Sequence, residues 1–226
     1  MVVDSAERVL RAATDRGGRT PLRWVAAPVQ GAERVLDLYS GTAALVDELP
    51  PGRWLGVDPA WGRRATLCAS PLALPLRRNA VDAVCLVLAL PSVADVDGLF
   101  AELRRVLRPG GTLVVLVPSA VPRTLAELRA ASLLGAVHRG GWTNRSGLDK
   151  AGWLLAAADF AVLADDRAAF TLPLPDDAAA DALVSALPRA GVWPEPVPPK
   201  VRALLTRLAG PGRVLPVPMR RLIARR

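Results

Sequence analysis

The chain has 226 residues and a mass of 23.9 kDa, with 51% hydrophobic and 22% charged residues. A domain near this size buries about 70–75% of the surface its unfolded chain exposes, so it needs no disulfide or metal staple, and the apolar share excludes a disordered chain. The formal charge is +8 and the pI is 11.0, carried almost entirely by arginine because lysine occurs only at 150 and 200. Arginine forks match phosphates and carboxylates, which keeps nucleic acid and acidic substrates in view. The arginines are scattered, however, with their clearest cluster in the tail at Arg220, Arg221, Arg225 and Arg226. Heavy use of Ala, Arg and Pro with little Lys fits a GC-rich coding bias.

Residues 4–15 read as a short polar helix broken at Gly17-Gly18, and 20–30 as a candidate second helix. Arg34 to Leu38 is a short apolar strand. Thr42 to Leu49 reads as a helix stopped by Pro50-Pro51-Gly52, and Arg53 to Val57 as a second strand closed by Asp58-Pro59. A short third strand fits near 66–69. Asp82 to Ala89 is a continuous apolar run, the pattern of a strand buried on both faces. Over 93–107, Val93, Val96, Leu99, Phe100, Leu103, Val106 and Leu107 share one helical face. Pro109-Gly110-Gly111 stops that helix before a strand from Thr112 to Val117.

The second half predicts a helix over 122–137, a Gly-rich polar loop from His138 to Gly147, a helix over 148–158 and a strand within 160–174. An Ala-rich helix over 176–187, a five-proline loop over 188–199, a helix over 200–209 and a last strand over 213–225 follow. Pro216 and Pro218 weigh against that strand, because proline cannot donate to a ladder. Strands alternating with helices imply an α/β fold with a mainly parallel sheet.

The densest apolar run, Ala83 to Leu90, stops at Pro91, well short of the ~20 residues a membrane span needs. The first eight residues lack a basic segment followed by an apolar core, so no signal peptide is expected. Cys68 and Cys85 have no CxxC spacing and no nearby His, so neither zinc nor a disulfide framework is expected. They read as reduced thiols of a cytoplasmic protein.

A strand, a tight turn and a helix start at Val35-Leu36-Asp37-Leu38-Tyr39-Ser40-Gly41-Thr42-Ala43, and Asp58 ends the next strand. This is nucleotide-site geometry, in which a carboxylate waits beside the turn for ribose hydroxyls. A single glycine in place of G-x-G-x-x-G disfavours a pyrophosphate-bearing dinucleotide. Val35 to Ala43 resembles the first motif, V-L-D-L-G-C-G-T-G, of class I S-adenosylmethionine (SAM)-dependent methyltransferases. Leu55 to Asp58 resembles their second strand and ribose-binding acid. Leu72 to Leu76 resembles the E-A-L-P-F stretch, Val81 to Val84 the F-D-x-V opening of the fourth strand, and Leu103 to Gly111 the L-R-V-L-K-P-G-G turn. The five motifs lie in order across 34–118, and the nearest branch is that of the menaquinone and ubiquinone C-methyltransferases.

The resemblance implies a Rossmann-like class I fold: a mainly parallel seven-stranded sheet, helices on both faces, the last strand antiparallel. It implies one domain, with a helical cap over 1–30, a SAM-binding core over 31–118, and substrate-side elements and last strands over 119–226. Tyr39, Ser40 and Gly41 would form the turn under the methionine part of SAM, with Asp37 beneath it orienting the amino group. Asp58, followed by Pro59, would accept from both ribose hydroxyls. Ser70, Pro71 and Leu72 would flank the adenine, and Leu86 would lie near the sulfonium. No metal is implied.

Three positions depart from the family. Tyr39 and Ala43 replace glycines, Ser70 stands where an adenine-binding acid is usual, and the segment 59–66 is short. His138, the one histidine, is a candidate general base for a phenol or enol acceptor, because imidazole exchanges protons near neutrality. Trp142, Asn144 and Arg145 in the same loop are candidate pocket residues. The leading expectation is methyl transfer to a small molecule. Two others stay open: a methyltransferase fold that binds or scaffolds without catalysis, and an RNA methyltransferase, suggested by the charge but lacking the N/D-P-P-Y/F motif after the fourth strand. The oligomeric state is not legible in the sequence.

Overall fold

The computed structural model describes residues 5–41, 44–59, 67–119 and 121–226. Thr42, Ala43 and residues 60–66, which include most of the short segment after the second strand, lie outside the described residues. In chain order the elements are α1 (Ser5–Ala12), α2 (Pro21–Ala26), β1 (Val35–Leu38), β2 (Trp54–Asp58), β3 (Leu67–Cys68), β4 (Val81–Val87), α3 (Val96–Val106), β5 (Leu107–Pro118), α4 (Leu125–Arg129), α5 (Ala131–His138), α6 (Ser146–Asp149), α7 (Ala151–Ala157), β6 (Ala161–Pro173), α8 (Asp177–Arg189), α9 (Lys200–Leu208) and β7 (Val214–Arg225). Three further segments, Ala27–Val29, Ala44–Glu48 and Leu90–Ser92, are 3-10 turns. The helix expected after β1 is thus represented by a 3-10 turn.

The strands form one seven-stranded sheet in the order β3-β2-β1-β4-β5-β7-β6. β1 pairs in parallel with β2 and β4, and β4 with β5. The amide of Ser119 bonds the carbonyl of Pro218 while that of Gly110 bonds Arg226, so β7 runs antiparallel to β5. The strand order reverses between β1 and β4, which is the point where open α/β sheets bind ligands. This is the class I methyltransferase fold that the motifs implied.

Contacts gather the chain into two compact units. One comprises Leu22–Val117, Asn144–Asp166 and Arg221–Arg226. Its core lies on one face of the sheet, where Leu36, Leu38, Val84, Leu86, Leu113 and Val115 meet Leu99, Phe100, Leu103 and Val106 of α3, all at most 1% exposed. Each such side chain contributes roughly 1.5–3 kcal/mol by leaving water. Asp95 starts α3 by accepting from the amide of Gly98 at 2.8 Å.

The other unit comprises Met1–Pro21, Pro118–Thr143 and Arg167–Arg220. It joins Thr14 to Thr171 by an isolated bridge. It also buries an ion pair, Glu127 with Arg167, at 2.9 Å and side-chain exposures of 0% and 8%. Arg167 additionally donates to Ser119 Oγ and the Val121 carbonyl, so this pair fixes the segment after β5.

Four sequence expectations need correction. Pro109-Gly110-Gly111 lies inside β5, where the register jumps from Val81 opposite Leu107 to Ala83 opposite Thr112, so the extra residues bulge out of the ladder. The prolines of β7 are tolerated because Pro218 sits opposite Ser119, just past the end of β5, where no β5 carbonyl needs a donor. His138 ends α5 rather than lying in a loop, a position where a basic group faces the negative end of the helix dipole. The tail arginines do not form one cluster: Arg221 stacks on Trp24 at 4.6 Å and pairs with Asp166, Arg226 bonds Asn79 and the Leu107 carbonyl, and Arg225 is exposed.

Among the described residues no helix is long and apolar enough to cross a membrane, and no group of His, Cys, Asp or Glu is placed to hold a metal. Cys68 and Cys85 are both free thiols.

Candidate cofactor site at the sheet switch point

Strand alternation puts Trp54, Gly56 and Asp58 on one face of β2, and register places Asp37 of β1 beside Gly56 and Cys85. This face lies opposite the α3 core. Gly56 matters here because a Cβ would come within 2.3 Å of the Trp54 ring. Its absence lets the indole fold along the strand and donate from Nε1 to Asp37 Oδ2 at 3.0 Å. Asp37 is 3% exposed. Burial, opposed by the Trp54 bond and aided by the nearby Asp58 charge, pushes its carboxyl up to about 7. Cys85, fully buried beside it, has its thiol pushed well up by burial and then by Asp37.

The turn after β1 carries the second feature. Tyr39 sits at φ 60° and Gly41 at φ 22°. Tyr39 therefore holds a left-handed conformation where the family motif has glycine, at a cost of roughly 1–2 kcal/mol. The turn aims the amide of Gly41 at Asp58 Oδ2, 2.8 Å away. Burial and the Asp58 charge both push the Tyr39 phenol up. Ser40 is 5% exposed and its Oγ has no hydrogen-bond partner among the described residues. One strand over, Leu88 follows the end of β4 at φ 58°, held by its amide on the Leu116 carbonyl at 2.8 Å. Register pairs Leu38 with Leu86, so two bulky left-handed residues end neighbouring strands at the switch point.

The structure brings Asp37, Tyr39, Ser40, Gly41 and Asp58 together. Pro59 follows Asp58 at the surface and accepts from the Cys68 thiol. Ser70 is exposed and its Oγ accepts from the Leu72 amide at 3.2 Å, forming a local turn over the buried Pro71. Leu72 is 42% exposed. Leu86 is fully buried in the α3-side core, so the pleat turns its side chain away from the Asp37 face. His138 and Trp142 belong to the other unit, where Trp142 donates to the Val137 carbonyl. Asn144 bonds Pro91 through its amide, and Arg145 pairs with Asp149. Trp54 and Leu88 were missed in the sequence. An aromatic two residues before a strand glycine was the available sign of the first; the second has none, because its backbone angle leaves no mark in composition.

Residues 36–115 match the family model described as a methyltransferase domain. Over 129 residues the chain is 33% identical to a demethylmenaquinone methyltransferase of Roseiflexus castenholzii, covering 50% of this chain and 54% of that one. Over 166 residues it is 30% identical to a malonyl-[acyl-carrier protein] O-methyltransferase of Gallionella capsiferriformans, covering 63% and 56%. The chain thus spans about half the length of these curated relatives. Among solved structures it resembles the [4+2]-cyclase SpnF (TM-score 0.58, 19% identity, 91% of this chain and 79% of that one) and the MccD protein (TM-score 0.56, 12% identity, 94% and 99%).

The cofactor this domain implies is SAM, and the residues present fit it. A buried hydroxyl without a partner among the described residues, Ser40 Oγ, sits on a turn locked to a carboxylate that ends the neighbouring strand. Residues 36–115 thus match a methyltransferase domain, and the sheet order is that of the class I methyltransferase fold.

Proposed function

We propose that the protein binds SAM at the Tyr39–Gly41 turn and transfers its methyl group to a small-molecule acceptor. The observation that carries this reading is the Gly41–Asp58 lock at the switch point. Asp58 offers a two-oxygen acceptor suited to vicinal ribose hydroxyls, Ser40 supplies a hydroxyl, and Asp37 faces the amino group. SAM brings an electrophilic methyl group, so the chain's own residues need mainly to position the acceptor and exclude water. His138 remains a proposed proton acceptor. The curated relatives named above are a demethylmenaquinone methyltransferase and a malonyl-[acyl-carrier protein] O-methyltransferase, and a small acidic or phenolic acceptor is the corresponding expectation here.

One observation favours a second reading, a fold that binds without catalysis: the Asp37 carboxylate is already engaged by Trp54. Calorimetric titration with SAM and S-adenosylhomocysteine separates the two. Saturable binding that Asp58→Ala abolishes, in a variant with unchanged circular dichroism, supports the first. Unchanged affinity in that variant removes Asp58 from the site, and no binding of either nucleoside overturns the methyltransferase reading.

A further inference from the structure

A second site lies at the other end of the same unit. Strands β4 and β5 begin together, with Val81 opposite Leu107. Arg226 reaches this edge, accepting from Gly110 through its carbonyl and donating through Nη1 to Asn79 Oδ1 and the Leu107 carbonyl. The seven residues of β4 separate this edge from the Tyr39 turn by about 20 Å. Between the edge and the outer side of α3 runs an open groove of about 580 Å³, lined by Arg78, Arg104, Arg105, Arg226, Glu102 and Leu72. That volume is in the range of small-ligand sites, ~300–1,000 Å³.

Guanidinium side chains outnumber carboxylate side chains in this groove. Glu102 is fully used: it accepts two bonds of 2.7 Å from Arg105 and one of 2.6 Å from the Leu74 amide. It therefore neutralises Arg105 alone. Arg104 is held by the carbonyls of Ala158 and Asp159 and by the Phe160 ring at 5.6 Å. Arg226 is held by Asn79 and Leu107. These neutral partners fix the two guanidiniums without cancelling their charge. Arg78 is exposed and has no ion pair among the described residues. Burial, and then the charges of Arg104 and Arg78, hold the Arg226 guanidinium below its usual range, as expected of cations gathered without an anion.

We propose that this groove is an anion site for a phosphate- or diphosphate-bearing ligand, held by Arg78, Arg104 and Arg226. Three guanidiniums exceed the charge of a single carboxylate. A phosphate ester carries about −1.5 to −2 at neutral pH, and its oxygens take the arginine fork in paired bonds. The site is independent of the methyltransferase reading.

Inorganic pyrophosphate is the probe, titrated calorimetrically into the full chain, with sulfate at matched ionic strength as the reference. We expect saturable one-site binding to pyrophosphate that Arg78→Ala weakens by at least about tenfold, with each tenfold equal to 1.4 kcal/mol. Arg189→Ala, at the exposed end of α8, should leave it unchanged. Arg78 is exposed and has no ion pair among the described residues, so Arg78→Ala should melt at the temperature of the parent. No saturable binding, equal affinity in Arg78→Ala, or an equal loss in Arg189→Ala would overturn the proposal.

Discussion

Asp37→Asn isolates the buried carboxyl at the centre of the cofactor face. Asp37 titrates near 3.8 when unfolded and at about 7 in the fold, chiefly because burial disfavours its charged form. Between these values the folded chain holds a proton that the unfolded chain releases, so stability falls as pH rises. The loss is about 1.4 kcal/mol per pH unit and about 4 kcal/mol over the whole interval. It is absent below pH ~4 and complete above pH ~7. Asparagine keeps an oxygen for the Trp54 indole and cannot ionise. The stability of Asp37→Asn minus that of the parent should therefore climb through this window and level off above it. Urea unfolding followed by circular dichroism at pH 5, 6, 7 and 8 measures the difference. A flat difference would refute the reasoning, because it would mean that Asp37 ionises alike in both states.

Gly56→Ala places a methyl 2.3 Å from the Trp54 ring, so the indole must leave and its bond to Asp37 breaks; a loss of about 1–3 kcal/mol with shifted tryptophan emission is expected. Arg167→Ala strands the fully buried Glu127, whose Oε1 already has no partner among the described residues, and should cost about 3–5 kcal/mol in chemical denaturation. Asp159→Gly should instead raise stability by about 1 kcal/mol in the same assay. Asp159 holds φ 57° just after α7, where its amide bonds Ala156 and that of Phe160 bonds Leu155. This is the helix-ending geometry that glycine suits.

The parallel half of the fold was legible because its patterns are local. The apolar runs of β1, β4 and β5 and the 3.6-residue stripe of α3 each declare burial within a dozen residues. Pro216 and Pro218 misled because their tolerance depends on where β5 stops, which no short window contains. The site divides in the same way. Gly41 and Asp58 follow from strand–turn spacing, Asp37 and Ser40 from the resemblance of the first motif, and the structure brings them together. Trp54 acts through a missing Cβ two residues away. The arginine groove joins residues 78, 104 and 226, a gathering that only the folded chain makes visible.

The left-handed Tyr39 and Leu88 connect the fold to its use. Neither residue is suited to φ near 60°, and each costs roughly 1–2 kcal/mol there. Both are retained one step beyond neighbouring strands, and Leu88 is almost fully buried, so the surrounding packing enforces its angle. At Tyr39 the sharp turn carries the Gly41 amide to Asp58 and buries Ser40 Oγ, which has no partner among the described residues. A glycine there would relax the turn's cost but would remove the half-buried ring that packs against the α3-side core. The strain at the end of β1 is thus the structural expense of holding a carboxylate, an amide and a hydroxyl in one fixed array before any ligand arrives, which is what preorganised binding requires.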